Sequence, residues 1–262
     1  MEKISEKKIK PLLTGEIGSE LVVYPVIDST NNAAKLLAKN GAPHGAVVIA
    51  EHQTAGKGRL GRSFYSPNAT GIYMTIILRP TLPVEHSLLI TSAAAVAAAR
   101  AVEQITGVPA QIKWVNDLYF KGKKLCGILS EAAIAADGTL NYVVVGIGIN
   151  CSTDSFPAEL EDVATSIAAA NGNDEIDCNG LIAAILNHFD KVYKQLETRE
   201  FIAEYKLRSC VLGKTVRMIQ GETSQEVIAL DIDENAHLVV RTPEGERLVI
   251  SSGEVSLKGD WR

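Results

Sequence analysis

Residues 54–67 read TAGKGRLGRSFYSP, with Gly56, Gly58 and Gly61 interleaved among Lys57, Arg59 and Arg62. Glycine lets the main chain take positive φ and come close to a ligand. The alternating cations can converge on one point, and the main-chain N–H groups of such a loop also hold anions. The chemistry on offer is recognition of a phosphate or a carboxylate. No Gly-Lys-Ser or Gly-Lys-Thr closes the motif, so it is not a Walker loop. A dinucleotide-binding turn is excluded too, because a stretch ending at Pro67 cannot run on as a helix. A solvated surface loop has a similar composition, so this stretch alone leaves two readings open.

Other segments carry groups that could act on the same anion. Lys113, Asn116 and Asp117 stand together in KWVNDLY. The lysine can neutralise a phosphate, and the carboxylate can hold Mg²⁺ with oxygens of a substrate. An exposed Asn-Asp turn would look the same. In KLCGILSE, Lys124 opens an apolar run and Gly127 leaves room beside its ammonium. In VVVGIGIN, Gly146 and Gly148 interrupt a buried strand that ends at Asn150. Glycines in such a strand mark either a bulge or the close approach of another group. In DSTN, Ser29, Thr30 and Asn31 read as a helix cap, or as hydroxyls and free N–H groups that grip a polar ligand head. Nucleophilic catalysis finds no support: GxSxG is absent, and His44, His52, His86, His188 and His237 lack zinc spacing.

The elements that must position these groups follow from periodicity and punctuation. Strands are predicted over 21–27, 46–51, 71–78 and 111–114, and helices over 31–39 and 85–105. Residues 115–122 read as a turn. The segments 124–133 and 139–150 pair across Asp137-Gly138 as a hairpin, and 180–208 reads as one or two helices. Beyond Cys210 the texture changes to short strands over 214–219, 226–232, 237–242 and 247–251. Gly221-Glu222, Asp233-Glu234 and Pro243-Glu244-Gly245 make the turns between them. Such closely spaced strands suggest a small antiparallel barrel. The expected class is α+β, with a catalytic domain over 1–210 and a second domain over 211–262.

Composition narrows the function classes. The chain has 262 residues, of which 46% are hydrophobic, enough to bury a large core. Its net charge of −5 is the wrong sign for a general nucleic-acid binder, so the basic loop points to a small anionic ligand. Cys126, Cys151, Cys178 and Cys210 form no CxxC, which fits reduced thiols in a cytoplasm. No signal sequence is legible, and the alanine-rich stretch over 88–102 is expected to be too short to span a membrane.

Taken in order, the segments resemble one family. DSTN, QTAGKGRLGRSF, KWVND, KLCGILSE and GIGIN are similar to the successive motifs of the biotin–protein ligases, over residues 20–257. Two positions depart from the family pattern. Lys57 stands where Gly-Arg-Gly-Arg has its first arginine, which keeps the charge but loses the fork. Val115 replaces the proline of Lys-Trp-Pro-Asn-Asp and is expected to loosen the turn before Asn116.

The resemblance implies a catalytic domain like those of class II aminoacyl-tRNA synthetases, an SH3-like C-terminal barrel, and a ligase-only type with no N-terminal helix-turn-helix. It implies ATP-dependent joining of biotin to a lysine of a biotin carboxyl carrier domain through biotinyl-5′-adenylate. A lipoate–protein ligase and a non-catalytic biotin sensor are the alternatives. By resemblance, Ser29, Thr30, Asn31 and Gln53 meet the ureido ring, and Gly127, Gly146 and Gly148 leave room for biotin's apolar part. Gly56, Lys57, Gly58 and Arg59 form a lid that is mobile when empty. Lys124, Arg59, Lys113 and Asp117 would be catalytic, with Asp117 on Mg²⁺. Arg59, Arg62, Phe64, Asn116 and Asn150 would hold ATP. The partners implied are the carrier domain and a second copy of the chain, with no DNA and no membrane, in the cytoplasm.

Overall fold

The computed structural model describes residues 2–257, apart from positions 82, 137, 154 and 222 and the side chain of Glu85. Asp137 and Glu222, both read as turn residues, therefore lie outside the described residues. The larger sheet contains β1 (Leu21–Tyr24), β2 (Val47–Ala50), β3 (Gly71–Leu78), β4 (Gln111–Lys113), β5 (Asp117–Phe120), β6 (Lys123–Ile134) and β7 (Leu140–Asn150). Their order across the sheet is β1-β2-β3-β7-β6-β5-β4. The β1–β2 pair is parallel and the other neighbours are antiparallel. The helices are α1 (Glu6–Ile9), α2 (Thr30–Lys39), α3 (Ser87–Thr106), α4 (Ile167–Asn171), α5 (Cys178–Tyr193) and α6 (Phe201–Leu207).

Side chains alternate between the two faces of a strand, and the two faces here have different neighbours. Val143, Val145, Ile147 and Ile149 of β7 join the main core with α3 and α5. Tyr142 and Val144 face the other way, in a smaller cluster with Ala34 and Ala38 of α2. The same alternation carries Gly146 and Gly148 onto the α2 face. α3 is buried on every side from Leu89 to Ala99, as a helix sandwiched between a sheet and other helices must be, and carries Arg100, Glu103 and Gln104 towards its C-terminus. It corrects the expectation that no stretch is long enough to span a membrane: its 20 residues qualify by length and composition, and 72% of the apolar window is buried in this fold.

The C-terminal strands β8 (Thr215–Gln220), β9 (Thr223–Ile232), β10 (Leu238–Arg241), β11 (Arg247–Ile250) and β12 (Glu254–Leu257) form an antiparallel sheet in the order β11-β10-β9-β8-β12. The fold class is α+β with a small second sheet, as the sequence suggests.

Three local readings change. Residues 115–122 are not one turn, because β5 occupies Asp117–Phe120 between β4 and β6. The hairpin loop is only Lys121-Gly122, with φ of 47° and 82°. Two positive φ values in a two-residue loop match the twist of the flanking strands. The lysine-rich N-terminal segment, to which no element is assigned from the sequence, is tied to α5. Ile9 is fully buried, and the amides of Ser5 and Thr14 donate to Asn179 Oδ1 (2.9 Å) and Asn187 Oδ1 (2.8 Å). The turn at Val115 is not loose. Tyr205 Oη donates to the Val115 carbonyl at 2.9 Å, and Trp114 Nε1 donates to the Ala236 carbonyl at 2.9 Å.

Candidate active site

The α2 face of the sheet opens into a cleft. Strand register sets its floor. Thr75, Gly146 and Leu129 form one row across β3, β7 and β6, and Tyr73, Gly148, Gly127 and Asp117 form the next, continued into β5. The glycines of both rows are places where another group comes in. A Cβ on Gly146 would lie 2.1 Å from Asn31 Oδ1, and one on Gly148 would lie 2.5 Å from the Phe64 ring. Neither is a bulge, since the β3–β7 register runs through both without a shift.

The end of the cleft beside α2 is polar and uncharged. Ser29 has the extended backbone of an N-cap, but its hydroxyl makes no capping bond and the residue is buried against the cleft. Ordinary capping, the commoner reading of DSTN, therefore does not account for it. Thr30 N and Oγ1 both donate to Gln53 Oε1, at 2.8 and 3.1 Å, and Gln53 Nε2 donates to Ser66 Oγ at 3.0 Å. These bonds fix Gln53 with its carbonyl toward α2.

The other end collects charge. A shift in the β5–β6 register lets Tyr119 face Lys124 while Leu118 faces Cys126. Cys126 and Ile128 point to the core, so regular alternation would send Lys124 there as well. The irregularity re-aims it onto the cleft face. Its Nζ lies 2.7 Å from Asp117 Oδ1, and its chain crosses Gly127, whose Cβ would come 3.1 Å from Nζ. Asp117 Oδ1 is nevertheless buried without an aligned hydrogen-bond donor.

Residues 54–67 close over this end as a folded loop. Gly58 N donates to the Arg62 carbonyl at 2.7 Å, Phe64 N donates to the Gly56 carbonyl at 2.9 Å, and Lys57 bridges Ser63. The cations are tied to protein acceptors. Lys57 Nζ donates to Asn32 Oδ1 at 2.6 Å, and Arg59 to Asn116 Oδ1 at 3.2 Å and the Gly253 carbonyl at 2.6 Å. Arg62 makes a fork with Glu254 at 3.0 and 2.8 Å. The last two arginine contacts reach the C-terminal sheet, so the expected mobile lid is here a strap joining both sheets.

One end of this cleft is lined by uncharged hydrogen-bonding groups and the other by cations. A family model, the biotin/lipoate A/B protein ligase family, matches residues 23–150, and a second, the biotin protein ligase C terminal domain, matches residues 211–258. A biotin–[acetyl-CoA-carboxylase] ligase of Mycobacterium tuberculosis is 32% identical over 263 residues, covering 96% of this chain and 95% of that one. The chain belongs to the biotin protein ligase family. Among other members, the bifunctional ligase/repressor BirA of Bacillus spizizenii is 39% identical, over 95% of this chain and 78% of its own. The biotin protein ligase of Aquifex aeolicus, solved in complex with biotin and ATP, superposes with a TM-score of 0.78 at 28% identity, covering 92% of this chain and 99% of that one. The protein is an enzyme of this ligase family.

Within the ligase, most of the residues singled out in the sequence converge. Ser29, Thr30, Asn31, Gln53, Lys57, Gly58, Arg59, Arg62, Phe64, Asn116, Asp117, Lys124, Gly127, Gly146 and Gly148 line the one cleft. Others do not reach it. Lys113 pairs with Asp117 across β4 and β5, but its ammonium turns to Tyr119, 3.1 Å from the hydroxyl and 4.8 Å from the ring centre. Asn150 donates to the Thr165 carbonyl at 3.1 Å and holds the chain after β7. Gly56 serves the loop's own closure, since a Cβ there would meet the Phe64 carbonyl at 2.5 Å. Glu254 and Thr75 were not anticipated. A lone hydroxyl in the apolar run GIYMTIIL was the available sign of Thr75, whereas nothing local marks Glu254.

Proposed function

We propose that the ligase joins biotin to a lysine of a biotin carboxyl carrier domain through biotinyl-5′-adenylate. The observation that carries this reading is the division of a single cleft into an uncharged hydrogen-bonding end and a cationic end under a glycine-arginine loop. Ser29, Thr30, Asn31 and Gln53 would meet the ureido head, and the floor at Gly127 and Gly148 with the Phe64 ring would flank the apolar part. The valerate carboxylate would then lie at Lys124.

In the first half-reaction the carboxylate oxygen attacks the α-phosphorus of ATP and pyrophosphate leaves. Lys124 would hold the attacking carboxylate and then the α-phosphate, while Arg59 and Arg62 exchange their protein acceptors for phosphate oxygens. Fixed cations of this kind lower the barrier by positioning and by charge stabilisation. In the second half-reaction the lysine amine of the carrier attacks the acyl carbon and AMP leaves. The strap closed across the cleft would keep water from the mixed anhydride in between.

Mg²⁺ fits the charged end. Among the described residues no cluster of His, Cys, Asp and Glu could hold a metal alone. Mg²⁺ commonly takes one or two carboxylates and completes its shell with phosphate oxygens and water. Asp117, whose buried Oδ1 it would share with the Lys124 ammonium 2.7 Å away, is the carboxylate that would hold it. When bound, the ion would supply charge neutralisation on the phosphates.

The deciding experiment is transfer of labelled biotin, from biotin and ATP, to an isolated carboxyl carrier domain. Labelled carrier with AMP formed is expected. Biotin binding with no transfer would instead make the protein a sensor, and a preference for lipoate in ATP–pyrophosphate exchange would reassign the acyl group.

A further inference from the structure

Asn31 is held from several elements at once. Its Nδ2 donates to Glu131 Oε2 at 2.8 Å and to the Leu129 carbonyl at 3.2 Å, both on β6. Its Oδ1 accepts from Thr75 Oγ1 of β3 at 2.7 Å, in the hollow left by Gly146 of β7. Both amide protons thus go to groups that only accept. A flipped amide would press Oδ1 against a carboxylate and a carbonyl, so the orientation is dictated by its partners. Glu131 is fixed in turn, with Lys35 Nζ of α2 lying 2.8 Å from Oε1. Burial pushes the Glu131 carboxyl up, but hydrogen bonds from Lys35 and Asn31 outweigh it and hold the group below its ordinary range. It therefore stays an acceptor near neutral pH. Neither Glu131 nor Lys35 lines the cleft, whereas Asn31 does.

We propose that Glu131, backed by Lys35, is a positioning residue for the ligase. It locks the Asn31 amide with Oδ1 facing the cleft, so that this wall accepts hydrogen bonds and selects a ligand head bearing ring N–H groups. The assignment rests on the biotin reading above, because biotin's cyclic urea is such a head. Oδ1 has a second lone pair beyond the one Thr75 uses, whereas both lone pairs of the neighbouring Gln53 Oε1 are taken by Thr30 N and Oγ1. The wall is thus tuned to donors rather than to carbonyl oxygens.

The test is calorimetric titration of biotin into the wild type, Glu131→Gln, Asn31→Ala and the double variant, with KM for ATP measured in parallel. Glu131→Gln should weaken biotin roughly tenfold, as expected for losing a hydrogen bond to a charged partner. KM for ATP should stay within about twofold of wild type, and the double variant should bind no more weakly than Asn31→Ala alone, because residues acting through one group are not additive. Additive losses, or equal losses for biotin and ATP, would overturn the positioning role. Should Glu131→Gln melt at a markedly lower temperature, Lys35→Met replaces it in the same cycle, with a loss of about threefold expected and additivity with Asn31→Ala again counting against the role. A wild type that binds no biotin would overturn the underlying reading, and this assignment with it.

Discussion

At the end of the cleft beside α2, Thr30, Asn31, Thr75 and Gln53 are linked by short hydrogen bonds that leave a lone pair on Asn31 Oδ1. At the other end, Lys57, Arg59, Arg62 and Lys124 are all tied to protein oxygens that a ligand must displace or share. The first end is rigid because its groups are buried and mutually determined. The second is more open to exchange on the cation side: the Arg62 side chain is 66% accessible although its partner Glu254 is only 15% so, and a pair with one solvated member contributes little to stability. The contrast separates recognition from chemistry. On the proposed reading, the head of the ligand would be read by fixed geometry, while the charges that would drive the reaction are held in this structure by protein oxygens.

Lys124→Ala would test the charged end most severely. Adenylate formation in a single turnover should slow by roughly 10²–10³, the usual effect of removing one preorganised charge donor, with biotin affinity changed far less. An unchanged rate would remove Lys124 from the chemistry. At the other end, Gly146→Ala would drive a methyl group into Asn31 Oδ1, 2.1 Å away. Overpacking of that kind should raise KM for biotin roughly tenfold or more while leaving KM for ATP nearly unchanged; a parallel rise in both would mean the two ends are not separable.

Arg59→Gly removes the strap's grip on Asn116 and Gly253. Released biotinyl-adenylate, followed by mass spectrometry, should rise about fivefold, in line with losing charge-assisted bonds, and wild-type release would sink the idea of a retaining lid. Glu254→Gln should act in the opposite sense by freeing Arg62, lowering KM for ATP by about two- to threefold, as suits an exposed pair. A higher KM would show that Glu254 helps bind ATP rather than competing with it. The smallest effect concerns acid. A carboxyl whose pKa is lowered on folding contributes stability above its ordinary value of 4.5 and loses it as pH falls through the lower folded value. For Glu131, biotin affinity should therefore be flat between about pH 6 and 8 and fall only in that acid range; a titration of biotin binding across pH would show a midpoint near neutrality if the assignment is wrong.

The charged end was the more legible in the sequence. Alternating glycine and cation in residues 54–67, and lysine followed by glycine in β6, are local patterns whose chemistry survives without knowledge of the fold. What could not be read was where those charges go, since Gly253 and Glu254 lie far along the chain and meet the loop only through the second sheet. Where Lys113 points was not legible for a related reason. Register brings it beside Asp117, as its sequence neighbours suggest, while its ammonium also lies over the Tyr119 ring diagonally across the hairpin. The amide end was visible only as DSTN and two glycines. That one glycine of β7 exists for Asn31 and the other for Phe64 needs the pairing of β3, β7 and β6, which no local motif encodes.

The contact between Arg59 and the Gly253 carbonyl has a consequence for how this enzyme can diverge. What the C-terminal sheet offers the strap there is main chain, which every amino acid carries, so its surface can change in sequence without loosening that hold. Position 253 itself is the exception, with φ of 128° and a Cβ that would come 2.8 Å from the Ile219 carbonyl. Mutational drift in this part of the chain should accordingly be broad except at position 253 and the neighbouring Glu254, whose side chain holds Arg62.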